Sequence, residues 1–206
     1  MEELIITKAR DLFFSYGLKS VSMDDIAGRA GISKKTIYKS FEDKNQLIQL
    51  LVSDLLSCHA KALEQSRIDS DNAIEALINS TGKPFNLVAS INPGFMYELE
   101  KFYPAIWHLV MEHKQRVLIP VTKENLKKGI EEGFYRPEID IAFVADVRVQ
   151  QIMTVLDVKT FTDRLVQCSK LLQQLTELFL HSVATIQGKK LIDKYLNVKN
   201  ENQFSN

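Results

Sequence analysis

"SMDDIAGRAGISKKTIYKSFEDK", residues 22–44, contains two helix starts on either side of a glycine turn. Ser22 is a good N-cap, and Asp24 and Asp25 fall in the first turn, where carboxylates complement the free backbone N–H groups. This pattern predicts a short helix that stops at Gly31. Ser33 then caps a further short helix, in which Ile37 and Phe41 lie four apart and face inward together. Lys34, Lys35, Tyr38 and Lys39 are left toward solvent. Two short helices about a glycine turn make a helix-turn-helix, whose second helix can enter the major groove of DNA.

The physical chemistry suits that role. A helix about 10–12 Å wide with its side chains fits a groove about 12 Å wide. Lysines and hydroxyls reach phosphates and base edges. Residues 33–41 hold three lysines and no acid, whereas the first fifty residues carry 8 basic and 7 acidic groups and the whole chain has no net charge. The positive field is therefore concentrated on one helix. A helix pair of this kind also occurs as plain structure, so pattern alone leaves both readings open.

Outward from this stretch, residues 4–16 place Leu4, Ile5, Ala9, Leu12, Phe13 and Tyr16 at helical spacing, which predicts a first amphipathic helix ending near Gly17. Asp43 is the cap of a long helix expected to reach about residue 66. From residue 71 onward nearly every segment reads as helix, punctuated by Pro84, Pro93, Pro104, Pro120 and Pro137. "NPG" at 92–94 marks a turn, Pro104 suits the start of a helix, Pro120 predicts a kink, and "GFYRPEID" at 133–140 is a loop. "IAFVADVRVQQIMTVL" and "RLVQCSKLLQQLTELFLHSV" are strongly amphipathic, and "GKKLIDKYL" adds a tail helix.

The expected architecture is all-α. A three-helix helix-turn-helix domain over residues 1–46 is joined by a long helix to an all-helical domain over 47–200, to which only a family resemblance assigns ligand binding and dimerisation, with a disordered tail over 201–206.

The 206 residues are 45% hydrophobic and 25% charged, the balance of a globular protein rather than a disordered or disulfide-stapled one. Cys58 and Cys168 lie far apart without metal-ligand spacing, which points to buried thiols in a reducing compartment. The N-terminus lacks a secretory pattern and no apolar run spans a bilayer, so the expectation is a soluble cytoplasmic protein without a membrane partner.

Across residues 6–51 the chain resembles the N-terminal domain of the tetracycline-repressor (TetR) family of bacterial transcription regulators. The matching features are "A..LF...G" in the first helix, "DDIA..AGIS" through the turn, "TIYKSF" in the recognition helix and "F.DK..L" opening the fourth. The resemblance implies a homodimer whose two N-terminal domains read a palindromic operator on double-stranded DNA, and a C-terminal pocket for a small-molecule effector that lowers DNA affinity. It also implies DNA-facing roles for Lys34, Lys35, Thr36 and Lys39, a phosphate bond from Tyr38, and a phosphate held by Lys44 at the start of the fourth helix. Ser22 and Ser33 match helix-start hydroxyls that cap, touch phosphate or do both. Asp24 and Asp25 would repel phosphate if turned outward and are read as dipole-complementing caps.

For the effector pocket the candidates are Phe95, Tyr97, Phe102, Tyr103, Trp107, His108 and Met111, in the densest aromatic stretch; large rings with polar tips suit a pocket and an ordinary core equally. His108 and Glu112, four apart, have no third ligand, so no metal or other cofactor is expected. The apolar stripe of the last third reads from spacing as intramolecular core. The resemblance reverses this and makes Val155, Leu165, Leu172, Leu175 and Phe179 the dimer interface. "STGK" at 80–83 looks like part of a hydrolase or phosphate-loop motif, but Pro84 follows and the first loop glycine is absent, so no enzyme is expected. A DNA-binding helical regulator without an effector remains the alternative.

Overall fold

The computed structural model describes residues 1–89, 91–92, 94–157 and 168–203. Its helices are α1 (Glu2–Tyr16), α2 (Met23–Ala30), α3 (Lys34–Ser40), α4 (Lys44–Ile68), α5 (Ala73–Ser80), α6 (Lys83–Ala89), α7 (Gly94–Phe102), α8 (Pro104–His113), α9 (Ile119–Glu131), α10 (Ile141–Leu156), α11 (Cys168–Val183) and α12 (Ile186–Gln203). The fold is all-α. Among the described residues the only extended pairing is a bridge between Tyr135 and Ala184.

Local chemistry sets the first boundaries. Ser22 Oγ accepts the Asp25 N–H while the Asp25 carboxylate accepts the Ser22 N–H at 2.8 Å, closing a reciprocal cap on α2. Gly31 ends that helix at φ 69°, a left-handed conformation glycine adopts without a Cβ penalty, and its N–H turns back to the carbonyls of Ala27 and Gly28. Ser33 caps α3 through the Thr36 N–H. Asp43 caps α4 through the Gln46 N–H, and Gln46 Oε1 returns a bond to the Glu42 N–H. On α1 the buried line is Ile5, Ala9 and Phe13, whereas Leu4 and Tyr16, expected beside them, stay exposed.

Around Pro120, where a kink is expected, the helical hydrogen bonding changes. A π turn over Lys114–Leu118 joins α8 to α9 without a loop, and Pro120 sits in the first turn of α9. Proline offers no N–H to the carbonyl four residues back and its ring crowds that carbonyl; the wider turn just ahead accommodates both. At the other end, α12 runs on through Gln203, so helix replaces part of the expected tail. Cys58, expected to be buried, is exposed on α4.

Three apolar clusters hold the molecule together. The first gathers Ile5, Phe13, Ile26, Ile37, Leu47 and Leu51 from α1–α4 and is completed by Ile91, Phe95, Leu99, Ile106 and Val110 from α7, α8 and the turn before them. The second packs α5, α9, α11 and α12 around Ile74, Leu126, Tyr135, Phe179 and Ile192. The third is small, with Phe85, Val155 and Leu172. The 133–136 loop is pinned against the α11–α12 junction by bonds from the Thr185 N–H to the Phe134 carbonyl and from the Arg136 N–H to the Val183 carbonyl, each 2.9 Å.

Candidate functional site

The outer face of α3 carries the predicted groove-facing groups. Ile37 is fully buried and Phe41 nearly so, which anchors the inner side of the helix. Ser33, Lys34, Lys35, Tyr38 and Lys39 are exposed and Thr36 is half-buried. Lys35 and Lys39 have no ion pair among the described residues. Lys34 differs: its Nζ donates to Asp24 Oδ2 at 2.9 Å, and this hydrogen bond raises its pKa. Asp24 therefore ties α2 to α3 from its place in the first turn of α2, while Asp25 closes the capping box with Ser22, its carboxyl held below the usual range by the Ser22 hydrogen bonds.

The serines are spent internally. Ser22 Oγ donates to Asp25 at 2.6 Å, and Ser33 Oγ lies 2.8 Å from Thr36 Oγ1. Lys44 is engaged as well: its Nζ donates to the Leu18 carbonyl and stands 5.5 Å from the centroid of the Phe13 ring. Burial pushes its pKa down, with Glu98 and Asp25 opposing. The expectation of a free ammonium on phosphate thus meets a lysine already tied into the α1–α2 loop.

Glu98 on α7 is the residue that sequence reasoning missed. Its Oε2 accepts the N–H groups of Leu18 and Lys19 at 2.5 and 2.8 Å, across some eighty positions of sequence. Beside it, the Asn92 N–H donates to the Phe14 carbonyl at 2.7 Å and Asn92 Nδ2 to the Ser15 carbonyl at 3.2 Å. The α6–α7 corner therefore grips the end of α1 and the loop after it. A glutamate in an amphipathic helix gives no sequence signal for such a partner.

The expected aromatic pocket does not assemble as one cavity. Phe95 is 1% exposed and meets Phe14 edge-on with ring centroids 5.4 Å apart, so it is core. Tyr103, Trp107 and Met111 pack against the same cluster. Phe102 is exposed beneath the ammonium groups of Lys19 and Lys101, and His108 is exposed beside Glu112 at 4.0 Å. Tyr97 and Trp107 border a depression of about 210 Å³ with Glu100, Gln150 and Met153. No cluster of three metal-ligating side chains occurs among the described residues.

Other hollows lie elsewhere in the helical body. A groove of about 550 Å³ runs between α1, α4 and α6, but Arg10 and Asp54 on its wall already pair at 2.7 Å. A smaller cavity of about 170 Å³ lies between α4, α5, α9 and α10, lined by apolar groups and by the guanidinium-bearing Arg148. This second cavity has the chemistry of a ligand site: apolar walls from Leu63, Ala76, Leu77, Leu118, Val121 and Ile152, with polar groups that include Ser80, Thr122, Asn125 and Arg148 among them.

Of the residues expected at a dimer interface, Val155, Leu172 and Phe179 are buried within one chain and Leu175 packs against them; Leu165 lies outside the described residues. Their apolar contacts are met by α5, α6 and α10 of the same chain, which is the plain-core reading of the stripe. The exposed apolar groups lie on other faces, Phe143 and Val147 on α10 and Leu178 on α11, with Phe143 and Leu178 both 66% exposed. No described helix is long and apolar enough to cross a membrane.

Residues 5–51 match the family of bacterial regulatory proteins of the tetR type. By this domain, the chain is similar to the TetR family. Over 143 residues it is 26% identical to the HTH-type transcriptional repressor KstR2 of Rhodococcus jostii, covering 65% of this chain and 67% of that one. The TetR fold extends through the C-terminal domain: a transcriptional regulator from Cytophaga hutchinsonii superposes with a TM-score of 0.70 over 89% of this chain and 98% of its own at 19% identity. The regulator FadR of Bacillus subtilis, in complex with stearoyl-CoA, superposes at 0.67 over 87% and 97% with 18% identity. The relatives are transcriptional regulators, not enzymes. The N-terminal domain and the fold of this chain are thus similar to those of TetR-type transcriptional regulators.

Proposed function

We propose that this protein is a homodimeric repressor that reads a palindromic operator through α3 and is released when a small molecule occupies its C-terminal domain. The carrying observation is the outer face of α3, where Lys35, Tyr38 and Lys39 stand exposed on a short helix whose inner side is fixed by buried Ile37. Lys35 and Lys39 supply phosphate charge, Tyr38 a phosphate hydrogen bond, and Thr36 a contact to base or backbone. Lys34 exchanges Asp24 for a phosphate on the duplex. The first turn of α4, whose Gln46 N–H is already taken by Asp43, presents its remaining backbone N–H groups, set in place by the Lys44–Leu18 tie.

A two-fold protein suits a two-fold operator, with recognition helices about 34–36 Å apart. Phe143, Val147 and Leu178 are the apolar groups that a second copy would cover, in place of the stripe expected from sequence. The ligand reading is favoured over an effector-free regulator by the apolar cavity beside Arg148. Coupling follows from α4. Leu63 and Arg67 at one end line the cavity, and Leu47 and Leu51 at the other end belong to the core beneath α3. A ligand that displaces α4 changes the placing of the reading heads, and a coupling of about 1–3 kcal/mol gives roughly 5- to 150-fold release.

The test is operator selection from random duplexes, followed by fluorescence anisotropy across a salt series. Lys35→Ala and Lys39→Ala each lower the slope of log affinity against log salt by about one, with unchanged helical content. A selected duplex bound equally well by both variants at every salt concentration refutes the assignment of α3.

A further inference from the structure

Among the described residues, Arg148 is a buried cation without a counter-charge. Its side chain, in the middle of α10, is 1% exposed. Nη2 donates to Thr176 Oγ1 at 2.5 Å and Nη1 to Gln151 Oε1 at 3.3 Å, while Nε has no hydrogen-bond partner among the described residues. The Phe179 ring centroid lies 5.2 Å from the guanidinium carbon. No carboxylate stands within ion-pair distance of it among the described residues. Burial pushes its pKa down to about 10, which still leaves it charged at neutral pH. A lone charge taken out of water is costly unless something pairs with it, and a well-packed apolar residue would serve a purely structural role better.

Arg148 lines the cavity between α4, α5, α9 and α10, and the other charges there are accounted for. Arg67 is bound to Glu64 through bonds of 2.8 and 2.5 Å, and Lys128 lies 3.5 Å from Glu132. Glu124 is exposed at the rim. Among the described residues, one uncompensated positive charge therefore faces a pocket whose apolar walls are Leu63, Ala76, Leu77, Leu118, Val121 and Ile152, with the neutral polar groups Ser80, Thr122 and Asn125 between them. The volume of about 170 Å³ is of the size that holds a single six-membered ring, given that about 150 Å³ accommodates benzene.

We propose that this cavity binds a small apolar monocarboxylate, an aromatic or short-chain acid, with its carboxylate on Arg148 and its hydrocarbon body against the α4, α5 and α9 walls. This rests on the ligand-gated reading above and names the chemical class of its effector. A single negative charge matches the single unpaired cation, whereas a phosphate dianion would leave a buried charge unmet.

Calorimetry on the full chain, in buffer free of organic acids, tests it with benzoate, a series from butyrate to decanoate, benzamide and phenyl phosphate. Benzoate or one of the straight-chain acids binds, and benzamide and phenyl phosphate bind at least about tenfold more weakly. Arg148→Met folds and loses roughly 10- to 150-fold in acid affinity, as expected for one hydrogen bond to a charged group. Val121→Phe, which fills the cavity and leaves Arg148 in place, also abolishes binding and serves if the methionine variant does not fold. The proposal is overturned if no acid binds, if benzamide matches benzoate, if phenyl phosphate is preferred, or if both variants keep full affinity. Operator affinity measured in parallel separates the two readings. Acid binding without operator release keeps this assignment and refutes ligand gating, whereas release by uncharged compounds alone keeps gating and refutes the assignment.

Discussion

Acid destabilises this protein through one identifiable pair before general protonation of carboxylates takes over. His59 on α4 is buried, with Nδ1 2.9 Å from Nε2 of His113 at the end of α8. Burial, with the neighbouring His113 adding to it, pushes the His59 pKa from 6.5 down to about 4; burial moves His113 in the same direction. The unfolded chain takes up these protons near pH 6.5 and the folded chain does not, so the unfolded state binds more protons between the two values. The stabilising effect is therefore complete above about pH 6.5 and is lost as pH falls toward 4. A displacement from 6.5 to about 4 corresponds to roughly 3 kcal/mol for His59. In a chain of this size that lowers Tm by about 6–12 °C. Thermal unfolding followed by circular dichroism across this range measures it, with the double variant His59→Leu, His113→Leu as reference, since removing both partners leaves no orphaned nitrogen. The wild-type curve drops more steeply than the reference between pH 6.5 and 4. Parallel curves through that window would refute the reasoning.

Other substitutions probe the remaining joints. Lys44→Met keeps the aliphatic stem but leaves the Leu18 carbonyl without its donor, and costs about 1–3 kcal/mol by chemical denaturation while the salt slope of operator binding stays unchanged. Ile37→Ala empties a fully buried site under α3 and costs about 2–5 kcal/mol, with operator binding lost in step with the fold of the head. Gly129→Ala puts a methyl group into the buried Tyr135 ring and lowers stability by at least about 1–3 kcal/mol, whereas Gly28→Ala, with open space around it, does not. Phe143→Asp with Leu178→Asp shifts the protein to monomer in analytical ultracentrifugation; an unchanged dimer would remove these faces from the interface.

The helix-turn-helix was legible because its determinants are local. Ser22, Gly31, Ser33 and Asp43 each act on backbone groups within four residues, and the burial of Ile37 and Phe41 follows from helical spacing. The tie from Glu98 to Leu18 and the lodging of Lys44 were not legible, since both depend on which helix packs against the α1–α2 loop. The aromatic stretch misled for the same reason. Phe95, Trp107 and Met111 have the composition of a pocket, yet the neighbour they meet is the core of the reading head. Arg148 sits in a segment whose pattern announces only an amphipathic helix. A charged residue on the buried stripe of "IAFVADVRVQQIMTVL" was the available signal.

The first apolar cluster draws Ile91, Phe95, Leu99, Ile106 and Val110 into the same body as Phe13 and Ile37. The reading head is thus not an exchangeable cassette. A chimaera spliced within the first turns of α4, carrying this head onto another regulator's sensor, would bare Phe13, Phe14 and the underside of the α1–α2 loop. To transplant operator choice, the graft has to bring the α6–α7 corner and α8 with it. Changing only the outward residues of α3 achieves the same end without opening the core.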